Sequence, residues 1–298
     1  MKTEIIDKIN SVIMSYMPDG SRIPSSTVEE AMSYAMSAGG KRVRPLIMYL
    51  TYKALSDHPE DESALNPFMA AIEMIHTSSL IHDDLPALDN DSLRRGRPTV
   101  HVKYREDAAI LAGDALLNLA YETAGTAFYP VLGDAKLEKA LIILMRKTGV
   151  KGMLGGQNAD VMLSGQSLSS DEREYIYEKK TAALIEAPFM IGAVLAGADD
   201  ETVEKLEAAG RALGLAFQVQ DDILDMTSDA ETLGKEVGQD EKNQKNTYAA
   251  EYGIEAAHEF VNEKTKIVHN VLDEVLKTDR EEAELLKELV TELAGRNS

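Results

Sequence analysis

The sequence predicts an all-α fold, a single large bundle of about ten helices over residues 1–298. Apolar residues recur at intervals of three and four rather than two along most of the chain. Val, Ile and Thr are scattered at the same helical spacing, and no segment reads as a strand. A chain of 298 residues that is 44% hydrophobic and 28% charged carries enough apolar side chains for one large core. No Pro/Ser-rich linker divides it, so 1–298 is read as one domain.

Each element has a local reason. Ile5, Ile6, Ile9, Val12, Ile13 and Tyr16 mark a first amphipathic helix, which the turn Met17-Pro18-Asp19-Gly20 ends. Ser26 with Glu29 three residues on reads as a capping box opening a second. Pro45 suits the start of a third helix, and Asn66-Pro67 the start of a fourth running to near Asp84. Further helical stretches are expected at about 107–127, 135–148, 171–197, 201–226, 253–276 and 280–294. Pro188 is expected to kink or split the long one around it. Gly39-Gly40 and Gly152 to Gly156 are read as helix interruptions, with Gly155-Gly156-Gln157 and Asp160 at a bend. The Glu- and Lys-rich end of the chain reads as a solvated terminal helix.

Composition removes several classes of function. Cysteine is absent, which excludes disulfides, thiolate metal sites and a cysteine nucleophile. The 51 acidic against 31 basic residues give a net charge of −20, the wrong sign for a nucleic-acid scaffold. The longest convincing uncharged run, Ala187 to Ala198, is about half a membrane span. The charged N-terminus has no apolar signal core, so a soluble cytoplasmic location is expected, with no membrane span.

The informative feature is an internal echo. Ser79 to Asp89 reads SLIHDDLPALD, and Phe217 to Asp225 reads FQVQDDILD. Asp221 and Asp225 are four apart and share a helix face, flanked by Asp222. Such a face repels itself by a few tenths of a kcal/mol per pair, a cost that cation binding offsets. Carboxylates so spaced suit Mg²⁺, which takes one or two protein oxygens and keeps water and phosphate elsewhere. Asp83, Asp84 and Asp89 form the first set; Pro86 lies between them, so a distortion of the helix is expected there. A solvated acidic face would not interrupt Leu80-Ile81 or Ile223-Leu224. Cations sit beside both sets: Arg94 and Arg95 after the first, Lys235 and Lys245 after the second, and Lys41, Arg42 and Arg44 in GGKRVRP. Arg forks and Lys charges beside acidic triplets fit a metal-bridged diphosphate.

With these motifs the chain resembles the trans-type isoprenyl diphosphate synthases, the family of farnesyl and geranylgeranyl diphosphate synthases. The likeness runs from GGKRVRP through both aspartate motifs to LGK at 233–235 and KNT at 245–247. It implies an isoprenoid synthase-like bundle with a central active-site cavity. It implies that Asp83 and Asp89, with Asp221, ligate three Mg²⁺ ions, with Mn²⁺ a substitute and Asp84, Asp222 and Asp225 completing the metal-binding motifs. Arg94, Lys180, Lys235 and Lys245 would grip the allylic diphosphate, and Lys41, Arg44, Arg95 and His76 that of isopentenyl diphosphate. Thr181 and Gln218 would lie beside the breaking C–O bond. His76 rests on the resemblance alone. The segment Thr227 to Lys245 is expected to be a lid over the site, and a homodimer is the expected state.

Product length would be set on the helix carrying Asp83. Farnesyl-making relatives usually place an aromatic at the position of Ser78, whereas Ser78 and Ser79 are both small. One more isoprene unit needs about one helical turn, ~5 Å, of depth. The twenty-carbon geranylgeranyl product is therefore favoured over the fifteen-carbon farnesyl product. Three other readings stay open. A class I terpene cyclase shares the first motif but usually carries a different second one. A di-iron carboxylate bundle is suggested by Glu73-Met-Ile-His76 and Glu255-Ala-Ala-His258. A non-catalytic synthase subunit typically loses one acidic motif, and both are intact here.

Overall fold

A computed structural model describes residues 1–18, 27–129, 131–227 and 247–295. The described residues are helical except for one short hairpin and connecting turns. They divide into two compact units: Met1–Leu46 with Asp61–Leu137, and Ile47–Glu60 with Glu138–Ser298. No helix among the described residues is long and apolar enough to cross a membrane.

The first unit is organised on α4 (Leu65–Asp83). This helix is apolar nearly all round and buries Phe68, Met69, Ile72, Met74 and Ile75, so it sits in the interior rather than on a face. Around it lie α1 (Lys2–Ser15), which inserts Ile5, Ile9 and Ile13, and α2 (Thr27–Met36). The long α6 (Glu106–Thr126) follows a one-turn α5 (Val100–Tyr104) that the sequence reading missed. Ala108, Ala109, Ala112, Gly113, Ala120 and Ala124 are all buried on α6, and such small side chains let two helices approach closely. A Cβ on Gly113 would lie 2.2 Å from the His82 ring.

The expectation of no strand needs one correction. Leu93–Arg94 (β1) pairs antiparallel with Arg97–Pro98 (β2). Two residues a side are too short to show alternation. The signal was in the turn, where Arg95 and Gly96 both take positive φ (+53° and +71°), as a tight primed hairpin requires. The start of α3 (Val43–Leu55) places Pro45 in the first turn, where its missing N–H costs nothing. Ser26, the expected N-cap of α2, lies outside the described residues.

The second unit contains α7 (Ala135–Thr148) from Glu138 on, α8 (Met153–Met162), α9 (Ser170–Ile176) and α10 (Ala183–Ala196). It continues with α11 (Asp200–Thr227), α12 (Tyr248–Tyr252), α13 (Ile254–Val275) and α14 (Glu281–Ala294). Three expectations change. The interruption is confined to the first of the glycines at 152–156: Gly152 is the N-cap in the turn between α7 and α8, while Gly155 and Gly156 lie inside α8, a helix the sequence reading did not list. The helix around Pro188 is not split at the proline. Its departure from α-geometry comes earlier, in a π-helical segment Tyr177–Ala182 joining α9 to α10. The terminal helix α14 is only half solvated, burying Ala283, Leu286, Leu289, Val290 and Leu293.

Close backbone contact explains the glycines. A Cβ on Gly156 would lie 2.1 Å from the backbone nitrogen of Lys180, and one on Gly214 of α11 would lie 2.4 Å from Cα of Ala182. The π segment is therefore held between two helices that touch it backbone to backbone. No real Cβ contact is that short, so only glycine fits at either position.

Candidate active site

In the first unit, α4 ends where the aspartates begin. Asp83 is its last residue and Asp84 its C-cap. The chain then folds back, so that the Asp89 N–H donates to the Asp83 carbonyl at 2.9 Å. The expected distortion is thus a helix end, and it brings two partly exposed carboxylates into one turn. Asp84 behaves differently. It is 3% exposed and accepts from Nε of Arg94 at 2.6 Å, while Asp91 takes the Arg94 fork at 3.3 Å. Burial lifts its carboxyl above the usual carboxylate range, against the opposing pull of Arg94. Arg94, expected to grip diphosphate, is held by two carboxylates of its own loop.

Arg95 donates to the carbonyl of Gly39. Gly40 (φ +127°) leaves room for that guanidinium, which a Cβ would meet at 2.7 Å. The GG of GGKRVRP is thus a cradle for the second arginine of RRG. Lys41 is exposed and Arg44 half-buried. Arg42 is buried: its guanidinium donates to Glu73 at 2.8 Å, to Asn10 at 2.8 Å and to the Met36 carbonyl at 2.7 Å. The sequence reading missed this pair. The available signal was Glu73 itself, a charge set among Ile72, Met74 and Ile75 that needs a buried partner. Glu73 is therefore committed to an arginine, and the Glu-x-x-His match to a di-iron protein loses a ligand. The second such match, Glu255 and His258, is exposed.

His76 lies one turn beyond Glu73 on α4. Burial, then the charges of Arg44, Arg95, Arg94 and Arg42, hold its imidazole well below the usual histidine range. It is neutral at pH 7 and has one ring N–H to offer. Ser78 is 3% exposed, and Ser79 spends its hydroxyl on the His76 carbonyl at 2.9 Å.

In the second unit, Lys180 and Thr181 both lie on the π segment, a distortion frequent at functional sites. Lys180 pairs with Asp160 of α8 at 2.5 Å. Thr181 donates its hydroxyl to Oε1 of Gln218 at 2.7 Å. The structure thus joins two residues that sequence spacing alone does not connect. On α11, Asp221 is partly exposed while Asp222 and Asp225 are buried. Asp222 accepts from the Tyr177 hydroxyl at 2.5 Å, from Nε2 of Gln218 at 3.2 Å and from the Tyr248 N–H at 3.2 Å. An open pocket is lined by Asp160, Tyr177, Lys180, Thr181, Gln218 and Asp222. Asp160 and Tyr177 were not foreseen as part of it. Lys235, Lys245 and nearly all of the expected lid lie outside the described residues.

Among the described residues, no three His, Asp or Glu side chains form a ready-made metal cage. Asp83, Asp89 and Asp221 are partly exposed hard oxygen donors, which suits Mg²⁺ better than a metal needing several protein ligands.

The comparisons with known proteins agree with one another. The polyprenyl synthetase family profile matches residues 25–293. A heterodimeric geranylgeranyl pyrophosphate synthase large subunit of Arabidopsis thaliana is 40% identical over 275 residues, 91% of this chain and 72% of that protein. The farnesyl diphosphate synthase of Micrococcus luteus is 38% identical over 299 residues, 100% of this chain and 97% of that one. The crystal structure of geranyltransferase from Helicobacter pylori, complexed with magnesium and isoprenyl diphosphate, superposes with a TM-score of 0.84. It is 33% identical, over 98% of this chain and 94% of that chain. Profile, sequence and fold converge over nearly the whole length, and the chain belongs to the polyprenyl synthetase family, the trans-isoprenyl diphosphate synthases.

Proposed function

We propose that the chain is a short-chain prenyltransferase that joins an allylic diphosphate to isopentenyl diphosphate. The allylic C–O bond breaks, the isopentenyl double bond supplies the electrons of a new C–C bond, and a proton leaves with the released diphosphate. The observation that carries this reading is the Thr181–Gln218 hydrogen bond beside Lys180, on a helix that goes on to Asp221. It sets oxygen dipoles next to a cation able to hold a leaving diphosphate.

Asp83 and Asp89 from one motif and Asp221 from the other are the residues that would hold Mg²⁺, three ions on the family pattern with Mn²⁺ as a substitute. Such ions supply positive charge against the departing diphosphate. Lys180 pairs with that group once it exchanges Asp160 for phosphate oxygen, joined by Arg94, Lys235 and Lys245. Lys41, Arg44 and Arg95 hold the second diphosphate, with neutral His76 donating one N–H. The oxygens of Thr181 and Gln218 face the positive charge left on the allylic carbon.

Ser78, small and buried on α4, supports a tunnel deep enough for the twenty-carbon product, ahead of the fifteen-carbon one. We further propose that the chain works as one domain and as a homodimer. Incubating purified protein with Mg²⁺, dimethylallyl diphosphate and isopentenyl diphosphate, then sizing the products, tests the reading. Elongation to mainly twenty carbons, abolished by chelation of the metal, is expected. Return of unextended starter, or a cyclised product without isopentenyl diphosphate, overturns it.

A further inference from the structure

We propose that Asp222 is a positioning residue rather than a metal ligand: it fixes the amide of Gln218 and so directs the lone pairs of Thr181. The inference rests on the prenyltransferase reading and deepens it.

The argument begins with burial. Asp222 is 1% exposed, whereas its neighbour Asp221, about 100° round the same helix, is partly open to solvent. A buried carboxylate needs donors, and Asp222 has them. The Tyr177 hydroxyl reaches Oδ2 at 2.5 Å and the Tyr248 N–H reaches it at 3.2 Å. Gln218, one turn earlier on α11, reaches Oδ1 at 3.2 Å.

The orientation of that amide follows from its partners. Tyr177 and the Tyr248 N–H both donate to Oδ2 of Asp222, and Gln218 presents its Nε2 to Oδ1, which leaves its Oε1 for the Thr181 hydroxyl. With its NH₂ used there, Gln218 turns its carbonyl to Thr181, which donates its single hydroxyl proton at 2.7 Å. Thr181 is left with its lone pairs, not a proton, for the cavity that it, Lys180 and Gln218 line. A positive allylic carbon is stabilised by lone pairs and opposed by an O–H dipole pointing at it. Tyr177 lies on the same π segment as Thr181, so one buried carboxylate ties together both elements that present these dipoles.

The test compares Asp222→Asn with Asp221→Asn. Asparagine keeps the shape of Asp222, but its oxygen must face the two donors Tyr177 and Tyr248. Its NH₂ then faces Gln218, reverses that amide and turns the Thr181 proton toward the cavity. With the unsubstituted chain elongating geranyl diphosphate as the control on the underlying reading, Asp222→Asn is expected to lower kcat about 10- to 100-fold with little change in KM. Binding of Mn²⁺ in the presence of inorganic pyrophosphate, read by electron paramagnetic resonance, is expected to stay at the unsubstituted level. Asp221→Asn should weaken that binding. In a Thr181→Val background, Asp222→Asn should add almost nothing, because both act through one dipole. Tyr177→Phe removes one donor at constant shape and should act in the same direction, by about threefold. The proposal is overturned if Asp222→Asn or Tyr177→Phe weakens Mn²⁺ binding as Asp221→Asn does, or if its effect multiplies in full with that of Thr181→Val.

Discussion

The two aspartate motifs read almost alike and are built in opposite ways. In the first, the helix stops at Asp83 and a turn returns Asp89 to it, so the accessible carboxylates come from a helix end. Its second aspartate is drawn to Arg94 in the same loop. In the second motif the helix runs on to Thr227, and which carboxylates are accessible depends on their angle about its axis. Its second aspartate is drawn inward to Tyr177. In both motifs the middle aspartate faces the protein and the first faces out. The shared Asp-Asp thus splits into one partly exposed and one buried carboxylate, at a helix end in one case and within a continuing helix in the other.

That contrast can be broken most forcefully at the exposed members. Asp221→Ala is expected to cut kcat by about a hundredfold or more while leaving the thermal midpoint within a few degrees. A retained rate would remove the second motif from the mechanism. The next effect is on stability and belongs to the first unit. Arg42→Met leaves Glu73 buried and charged without the guanidinium that it faces, which costs about 3–5 kcal/mol. Replacing both residues by methionine should recover most of that loss in a denaturant titration. If the double variant is no better than the single one, the Arg42–Glu73 pair is not what couples the GGKRVRP loop to α4.

A smaller change of outcome is expected from Ser78→Tyr. The ring would fill the space below the first motif and shorten the product by about one isoprene unit, seen by sizing the prenyl alcohols. An unchanged product distribution places the tunnel floor elsewhere. The smallest effect concerns pH. His76 is held neutral in the folded chain, while in the unfolded chain it titrates near 6.5. As pH falls through that range the unfolded state takes up a proton that the folded state refuses, so folding stability declines. Above it the contribution vanishes. His76→Gln should flatten that part of the profile between about pH 5 and 7, and an unaltered slope would assign it to other groups.

Much of this was legible in the sequence. The bundle followed from the spacing of apolar residues, and α7, α11, α13 and α14 lie within a residue or so of where periodicity puts them. The acidic motifs were visible because charge interrupts an apolar stripe. What stayed hidden is what spacing does not encode. A π segment differs from an α-helix by one residue per turn over six residues, too little to alter an apolar pattern. The pairs Lys180–Asp160, Arg42–Glu73 and Tyr177–Asp222 join distant parts of the chain, so they follow only from packing. The hairpin at 93–98 was concealed by its brevity.

The glycines that press on the π segment carry a consequence for any attempt to alter this enzyme by random mutation. At positions 156 and 214 every other amino acid brings a side chain into main-chain atoms that cannot yield locally. Drift is closed at both positions, and so is drift in the register of the residues between them. A mutant library aimed at new prenyl acceptors would waste its diversity there. On the proposed reading, the positions to vary lie instead on α4, at the buried Ser78 and at Ser79. If Ser78 sets product length as proposed, product range would diversify on one helix while the π segment stays fixed on another.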